Sequence, residues 1–374
     1  MINRSLVVVF LLSPLGCGDT NSKATSSPPD LSAEDTDTPP TEPNDVSSFL
    51  EPIAEEYDLP ALGGARIQAG LVTDWGVVGV RKLGDDTEAT IDDKWHLGSC
   101  TKAMTGTLVA AHIDDGLVEW TSTVEALFPD IDVHEDFRSV TLQMLLSHRA
   151  GIDDTARHEA VGWASSSDVE QYRQNIAETI LSRAPDQGQD VYQYSNYGIV
   201  IAGAALERLT GESWESLMED RIFEPLGMDS CGFGVSDKAG DVSQPWGHRG
   251  DSPQNIDNAP VLGPAATVHC SLQDWAWFIA DQMRAYRGEE SLLSAAQGEQ
   301  MFTAQLNGYA MGWGVYTDDD LGFVFSHAGN NTVNFAEVVA LPDRDEAYLA
   351  VTNIGDMELY DALRDTYSML LALD

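Results

Sequence analysis

The chain has 374 residues, 43% of them hydrophobic, and its 61 acidic and 20 basic side chains give a net charge of −41. This apolar content is enough for one large domain or two intermingled subdomains. A surface so acidic repels nucleic acid, which we therefore exclude as a partner, and it suits either a saline environment or solubility alone.

The first 17 residues have the organisation of a targeting segment. Arg4 gives the first four residues a positive charge. The apolar run over 6–12 follows, and it is too short to span a bilayer as a helix. Cys17 follows Gly16, as in the lipidation site of a bacterial lipoprotein signal, although Pro14 stands where leucine is usual. We expect a signal peptide over 1–17 and a membrane anchor through a lipid on Cys17, with plain secretion as the alternative. The mature protein would be periplasmic, or a lipoprotein of the outer membrane or cell surface of a bacterium.

Residues 18–46 are rich in Pro, Ser, Thr, Asp and Glu and have no periodic apolar pattern. Such a segment cannot bury enough apolar surface to fold, so we predict a disordered linker. Residues 47–374 are then a single globular domain.

The predicted elements of this domain begin with a helix over 47–57. Strands over 62–67 and 73–80 form a hairpin around Gly70. A helix over 101–115 follows, with an apolar face and a C-terminal glycine cap at Gly116. The residues of that apolar face are Met104, Leu108, Ala111 and Ile113.

The middle of the chain reads as helices and loops, and strands return near its end. Helices are predicted over 142–147, 169–183, 197–209, 214–222 and 273–283. Strands are predicted over 312–317, 323–327, 335–341 and 346–353, with a last helix over 358–371. This order predicts an α+β sandwich fold, in which one antiparallel sheet is built from both chain ends and flanked by helices, with a mostly helical subdomain inserted.

Three cysteines remain after Cys17, which leaves at least one free thiol. We interpret Cys100 as a small core residue. Cys231 and Cys270 either form a disulfide, as export would permit, or are two reduced, buried thiols.

Ser99 and Lys102 are three residues apart at the start of a predicted helix, so their side chains share one face. A serine hydroxyl needs a base to become a nucleophile, and a buried lysine with a lowered pKa can be that base. The helix N-terminus would also direct backbone N–H groups at developing negative charge. About 0.4 such pairs are expected by chance in a chain of this composition, so the pair alone is a weak signal and needs support from elsewhere.

Two other short motifs supply that support. Tyr194 and Asn196 lie in a loop before a helix, where a tyrosine near an ammonium group could have a depressed pKa and act as a base. His327 and Gly329 end a predicted strand, whose edge could hold a substrate as an additional strand. Taken singly, the first motif is better explained by loop capping and the second by a tight turn with a surface histidine.

In this order and spacing the three motifs resemble the family of serine hydrolases that contains class C β-lactamases, D-alanyl-D-alanine carboxypeptidases and lipolytic esterases. The resemblance extends over about 48–374. Similar segments are Leu97-Gly98-Ser99-Cys100-Thr101-Lys102, Leu145-Leu146-Ser147-His148-Arg149-Ala150-Gly151-Ile152, Glu224-Pro225-Leu226-Gly227-Met228 and Met311-Gly312-Trp313-Gly314.

The resemblance implies a β-lactamase/transpeptidase-like fold and a role for each motif residue. Ser99 would be the acylated nucleophile, Lys102 its partner and Tyr194 the general base. Substrate would be bound by Asn196, His327, Gly329 and Asn330, with the backbone N–H groups of Ser99 and Asn330 as the oxyanion hole. His327 stands where members that hydrolyse penicillins usually have lysine, and a neutral imidazole binds a carboxylate less well.

We therefore expect an esterase or D-amino-acid peptidase-like hydrolase that acts on a small ester, peptide or lactam without a cofactor or metal. A true class C-like β-lactamase and a non-catalytic penicillin-binding domain remain as alternatives. The chain has no Gly-x-Ser-x-Gly elbow, no His-Glu-x-x-His and no Cys-x-x-Cys. His148, next to Ser147, is expected to brace a loop, and the loops over 153–168 and 234–265 to set selectivity.

Overall fold

The described part of the protein contains three sheets. A computed structural model describes residues 42–155, 168–356 and 359–373. The strands are β1 (Asn44–Asp45), β2 (Ala61–Gln68), β3 (Leu71–Gly79), β4 (Trp95–His96), β5 (Gly232–Phe233), β6 (Gly247–Arg249), β7 (Ser252–Gln254), β8 (Val268–Cys270), β9 (Gly314–Asp318), β10 (Gly322–Asn330), β11 (Phe335–Leu341) and β12 (Glu346–Thr352). The predicted signal segment, Cys17 and most of the predicted linker lie outside the described residues.

Most of the helices lie in the chain between strands β4 and β9. They are α1 (Ser47–Glu56), α2 (Thr101–Asp114), α3 (Val124–Leu127), α4 (Leu142–Leu146), α5 (Val169–Leu181), α6 (Asn196–Thr210), α7 (Trp214–Met218), α8 (Glu224–Leu226), α9 (Gly263–Ala266), α10 (Leu272–Arg287), α11 (Ala295–Phe302) and α12 (Tyr360–Leu371). None of the helices in the described ranges is both long and apolar enough to cross a membrane.

The largest sheet joins the two ends of the chain, as predicted. Its order is β1-β3-β2-β12-β11-β10-β9, and every pair is antiparallel except β1 with β3. Helices α1 and α12 pack against each other and against one face, while α10 packs against the other face. The sheet is therefore buried between helices, and the predicted α+β sandwich is confirmed.

The ordered domain begins earlier than expected. Asn44 and Asp45 pair with β3, and the backbone N–H of Val46 donates to the carbonyl of Trp75 at 2.8 Å. Val46 is itself buried. The predicted linker therefore extends too far at its C-terminal end, because the two polar residues of β1 gave no sign that they would pair with a sheet.

Helix α2 is buried on all sides rather than on one apolar face. Every residue from Thr101 to His112 is buried. It is surrounded by helices α6, α9 and α11 and by the 3-10 turn that precedes it. The predicted apolar face was therefore too narrow, because the helix lies at the centre of the molecule.

A disulfide joins Cys231 and Cys270, which decides between the two alternatives left open by the sequence. Strands β5 and β8 pair beside it, and β8 pairs with β4. This small sheet therefore holds β4 in place, and β4 ends three residues before Ser99. Cys100 is free and buried, as predicted.

Candidate active site

Ser99 lies in a single 3-10 turn, Gly98–Cys100, that leads directly into α2. It is partly exposed, whereas its neighbours Gly98 and Cys100 are buried. Its Oγ atom lies 2.9 Å from Nζ of Lys102, which is on the first turn of α2 and fully buried. The structure therefore brings together the two residues that the spacing paired.

Lys102 has three polar neighbours. Besides Ser99, its Nζ contacts Oδ1 of Asn196 at 2.7 Å and the carbonyl oxygen of Ala265 at 2.9 Å. Burial lowers the pKa of Lys102 to about 7, although the Asp154 carboxylate acts in the opposite direction. Much of this lysine is therefore neutral near pH 7 and can accept a proton.

Tyr194 lies beside the same ammonium group, with its ring centroid 4.8 Å from Nζ of Lys102. Burial raises the pKa of Tyr194 far above that of a free phenol, and the opposing effect of the Ser99 hydroxyl is smaller. The expectation of a depressed tyrosine pKa was therefore wrong, because desolvation outweighs the effect of the lysine. Tyr194 keeps its proton near neutral pH.

The loop that carries Tyr194 and Asn196 is held by Asp154, which belongs to none of the three motifs. One Asp154 carboxylate oxygen accepts from the Ser195 hydroxyl at 2.6 Å, and the other accepts from the Asn196 backbone N–H at 2.7 Å. Ser195 in turn caps α6 by accepting from the N–H of Gly198. No local signal linked Asp154 to a motif 41 positions later.

His148 braces the same loop, as predicted. Its Nδ1 accepts from the backbone N–H of Ser195 at 3.1 Å, and its carbonyl accepts from the N–H of Gln193 at 2.8 Å. Its ring lies against Tyr194, with centroids 4.3 Å apart. Burial, with a smaller effect of Lys102, holds the pKa of His148 well below its ordinary value, so the ring is neutral.

Strand β10 continues past His327 to Asn330, whereas β9 pairs with it only as far as Ser326. A Cβ atom placed on Gly329 would lie 2.7 Å from the backbone N of Ser99, and one placed on Gly98 would lie 2.5 Å from that of Asn330. The two backbones therefore meet without room for a side chain. This contact brings the main-chain nitrogen atoms of Ser99 and Asn330 to the same region.

The resemblance implied that His327 binds substrate, but its side chain faces the protein interior. Its side chain is buried, with Nε2 2.9 Å from the Tyr309 hydroxyl and Nδ1 2.8 Å from the Ala328 carbonyl. The carbonyl can only accept, so Nδ1 carries the proton and Nε2 accepts from Tyr309. Burial lowers the pKa of His327 to about 3, with a further effect of Lys102. His327 is therefore a neutral residue bonded to the protein interior.

The described residues hold no group of three or more His, Cys, Asp or Glu side chains that could bind a metal ion.

Residues 49–373 match the family model described as Beta-lactamase. The chain belongs to the Beta-lactamase family. The resemblance to this family of serine hydrolases, inferred from the three motifs, is thereby confirmed.

Two curated proteins of the Beta-lactamase family are also similar in sequence to this chain. The chain is 26% identical over 300 residues to Unguisins hydrolase ungD′ of Aspergillus campestris, which covers 72% of this chain and 54% of that protein. It is 26% identical over 309 residues to Penicillin-binding protein 4 of Amycolatopsis lactamdurans, covering 74% and 76% of the two chains. The chain thus spans about half the length of the first relative and three quarters of the second.

A solved structure with the same fold is the octameric penicillin-binding protein homologue from Pyrococcus abyssi. It superposes with a TM-score of 0.71 at 22% identity, over 87% of this chain and 76% of that one. At this identity the similarity supports the fold alone, and it agrees with the predicted β-lactamase/transpeptidase-like architecture.

Proposed function

We propose that the chain is a serine hydrolase that forms a covalent acyl-enzyme at Ser99 with an ester, amide or lactam carbonyl. The observation that carries this proposal is the 2.9 Å contact between Oγ of Ser99 and Nζ of a buried lysine whose pKa is about 7. A nucleophile in contact with a base that is partly neutral at working pH is the arrangement that acyl transfer requires.

The neighbours of Lys102 define the direction of proton transfer. A neutral amine has two N–H donors and one lone pair. Asn196 Oδ1 and the Ala265 carbonyl are acceptors, and together they use both donors. The lone pair is then left for the third neighbour, the Ser99 hydroxyl, which donates its proton to Nζ as Oγ attacks.

The oxyanion of the tetrahedral intermediate is assigned to the backbone N–H groups of Ser99 and Asn330. The close approach of Gly98 and Gly329 supports this assignment, because it brings these two nitrogen atoms to the same region. Preorganised donors of this kind usually supply a large part of the rate enhancement.

Tyr194 is assigned to the leaving group rather than to the first proton transfer. Its raised pKa keeps the phenol protonated, so the hydroxyl can donate to the departing oxygen or nitrogen. Lys102, which has gained the serine proton, can then return that proton to Tyr194. Water completes the cycle by hydrolysing the acyl-enzyme.

Among the possible substrates, an ester or a D-amino-acid peptide is favoured over a β-lactam antibiotic. His327 is buried and neutral, so it offers no ammonium group to a substrate carboxylate. The net charge of −41 also disfavours anionic lactams. A class C-like β-lactamase and a non-catalytic penicillin-binding domain are the alternatives.

The cellular location is part of the proposal. The sequence over 1–17 supports export, with lipidation of Cys17 and attachment to a bacterial membrane from the periplasmic or outer side. If Cys17 is lipidated, Cys17→Ser should move the protein from the membrane fraction to the soluble fraction. A wild-type protein that is already soluble after export would indicate plain secretion.

A fluorophosphonate probe and a substrate panel test the proposed activity. The probe should label wild-type protein at Ser99, and Ser99→Ala should abolish labelling. Hydrolysis of p-nitrophenyl esters, D-Ala-D-Ala peptides and nitrocefin should then be compared. Preferential hydrolysis of the ester or the peptide would support the proposed substrate class. Efficient hydrolysis of nitrocefin would instead identify the protein as a β-lactamase. A wild-type protein that the probe does not label would indicate a non-catalytic binding domain.

A further inference from the structure

A buried histidine contacts the backbone directly before the nucleophile. Nδ1 of His96 accepts from the N–H of Gly98 at 3.1 Å, two residues along the chain. Nδ1 therefore carries no proton, and in the neutral ring the proton is on Nε2. Gly98 is the residue at which the Ser99 turn meets the end of β10, so this hydrogen bond acts on the position of the Ser99 N–H.

The other nitrogen of His96 faces a buried carboxylate. Nε2 lies 2.6 Å from Oδ1 of Asp257, and both side chains are less than a tenth exposed. The two atoms are close, but the Nε2–H bond does not point at Oδ1 well enough to form a hydrogen bond. Neither Nε2 of His96 nor Oδ2 of Asp257 has a hydrogen-bond partner among the described residues. A carboxylate at this distance stabilises the tautomer with the proton on Nε2, because it can accept but not donate.

Asp257 also reaches the second backbone segment of the site. Its Oδ1 accepts from the side-chain amide of Asn331 at 3.3 Å and from the backbone N–H of Asn258 at 2.6 Å. Asn331 follows Asn330, and its own Oδ1 accepts from the N–H of Asn334 at 2.8 Å. One carboxylate thus contacts Asn331, which follows Asn330, and also His96, whose ring accepts from the N–H of Gly98 directly before Ser99.

We propose that Asp257 is a positioning residue for acyl transfer, which fixes the tautomer of His96 and through it the Gly98–Ser99 backbone. This inference rests on the proposed function, because it assigns a role to the oxyanion hole at Ser99. Asp257 touches neither the nucleophile nor its base. It acts through His96, as the acidic residue that orients a catalytic histidine acts through that ring.

Asp257→Asn is the direct test. The carboxamide has nearly the same shape, but Oδ1 of Asp257 both faces Nε2 of His96 and accepts from Asn331 and Asn258. An NH₂ group in the place of Oδ1 favours the other tautomer of His96 and loses both of these accepted hydrogen bonds. Nδ1 would then carry a proton opposite the Gly98 N–H, and their hydrogen bond would be lost. Because loss of a whole oxyanion donor costs about 10²–10³ in kcat, we expect misalignment to lower kcat about 10- to 100-fold with KM changed less than about threefold.

His96→Asn separates this role from a general effect on folding. An asparagine at this position can accept from the N–H two residues ahead, as in an Asx-turn, without help from Asp257. We expect His96→Asn to keep most of the activity, and Asp257→Asn to have little further effect in that background. Equal losses from Asp257→Asn in both backgrounds would overturn the proposal.

The chain also offers a matched control. His134 and Asp136 form a similar pair on the surface, where Nδ1 of His134 accepts from the N–H of Asp136 at 3.3 Å. Asp136→Asn should leave kcat and KM at wild-type values. A loss there as large as in Asp257→Asn would mean that the effect is not specific to the site.

A spectroscopic readout is independent of activity. ¹⁵N NMR of histidine-labelled protein should show the proton of His96 on Nε2 in the wild type and on Nδ1 in Asp257→Asn. An unchanged tautomer would overturn the proposal even if activity fell. A wild-type protein that is not acylated at Ser99 would contradict the proposed function, and the tautomer would still decide whether Asp257 controls His96.

Discussion

Lys102 and Tyr194 both lie beside the Ser99 hydroxyl, and burial shifts their pKa values in opposite directions. Desolvation disfavours the charged form of each group, so it lowers the pKa of the lysine and raises that of the tyrosine. The same buried environment therefore makes one residue a base and keeps the other a proton donor. This separation of roles is what acyl transfer needs in two successive proton transfers.

Replacing the base should abolish activity without unfolding the protein. Lys102→Met is expected to lower kcat by about 10³ or more, because the serine loses its proton acceptor. Between pH 7 and 10.5 the unfolded chain binds more protons at this lysine than the folded protein, so burial of Lys102 costs stability at pH 7. The variant should therefore have an equal or higher Tm, measured by calorimetry.

The exposed Lys238 provides the control for that variant. Lys238→Met should keep the wild-type kcat. A Lys102→Met enzyme with near-normal turnover would show that another group removes the serine proton.

Tyr194→Phe tests the proton donor. The ring and its contact with His148 are kept, but the hydroxyl is lost, so we expect kcat to fall about 10²-fold, at the lower end of the range for general acid–base catalysis. Tyr192→Phe removes a hydroxyl from the same loop and should change kcat less than about threefold. Steady-state kinetics on one ester will compare the kcat values of the two variants. Equal kcat values would exclude the assigned role of Tyr194.

At the residue scale the sequence could predict the groups whose spacing is local. Ser99 and Lys102 share a helix face, and Tyr194 and Asn196 share a short loop, so their proximity follows from chain geometry. Asp154 and Asp257 could not be found in this way, because folding alone brings them to their partners. The pKa of Tyr194 was mispredicted for a related reason, since the extent of its burial is a property of the fold.

At the scale of elements, the site depends on two backbone segments that touch. The 3-10 turn before α2 and the last residues of β10 approach so closely that a side chain on Gly329 would overlap the Leu97 carbonyl. The strands themselves were predictable from their alternating and β-branched residues. The contact between the two segments was not predictable. The sequence shows that residue 329 is a glycine, but it does not show which backbone atoms lie against it.

Gly329→Ala should therefore separate the two segments. We expect a loss of at least about 10² in kcat, as for a missing oxyanion donor, because the Ser99 and Asn330 nitrogen atoms would move apart. Gly188→Ala is the control, since a Cβ atom there would meet nothing within 4 Å. Kinetics and far-UV circular dichroism of both variants will show whether the site or the fold changed, and wild-type kinetics in Gly329→Ala would contradict the predicted contact.

At the scale of the whole molecule, one sheet closes over chain segments that are hundreds of residues apart, with β2 next to β12. Strands at both ends of the sequence and helices between them were sufficient to predict this architecture. The start of the domain at β1 and the complete burial of α2 were not predictable. Both depend on neighbours that a local pattern does not include.

The disulfide between Cys231 and Cys270 holds the small sheet that carries His96. It closes a loop with a sequence separation of 39 residues, and chain-entropy arguments assign about 4 kcal/mol to a loop of that size. We expect the double variant Cys231→Ser/Cys270→Ser to unfold at a clearly lower urea concentration. Reductant should lower the midpoint of the wild type but not that of the double variant, and identical midpoints for all samples would mean that the bond contributes no stability.

The central claim is that a largely neutral Lys102 activates Ser99. It is tested most directly by the rate constant for fluorophosphonate labelling at Ser99, followed by intact-protein mass spectrometry from pH 5 to 9. The rate should rise as Lys102 loses its proton, with a midpoint near 7, and reach a plateau above it. A rate that does not change across this range, or a label on a residue other than Ser99, would contradict the account.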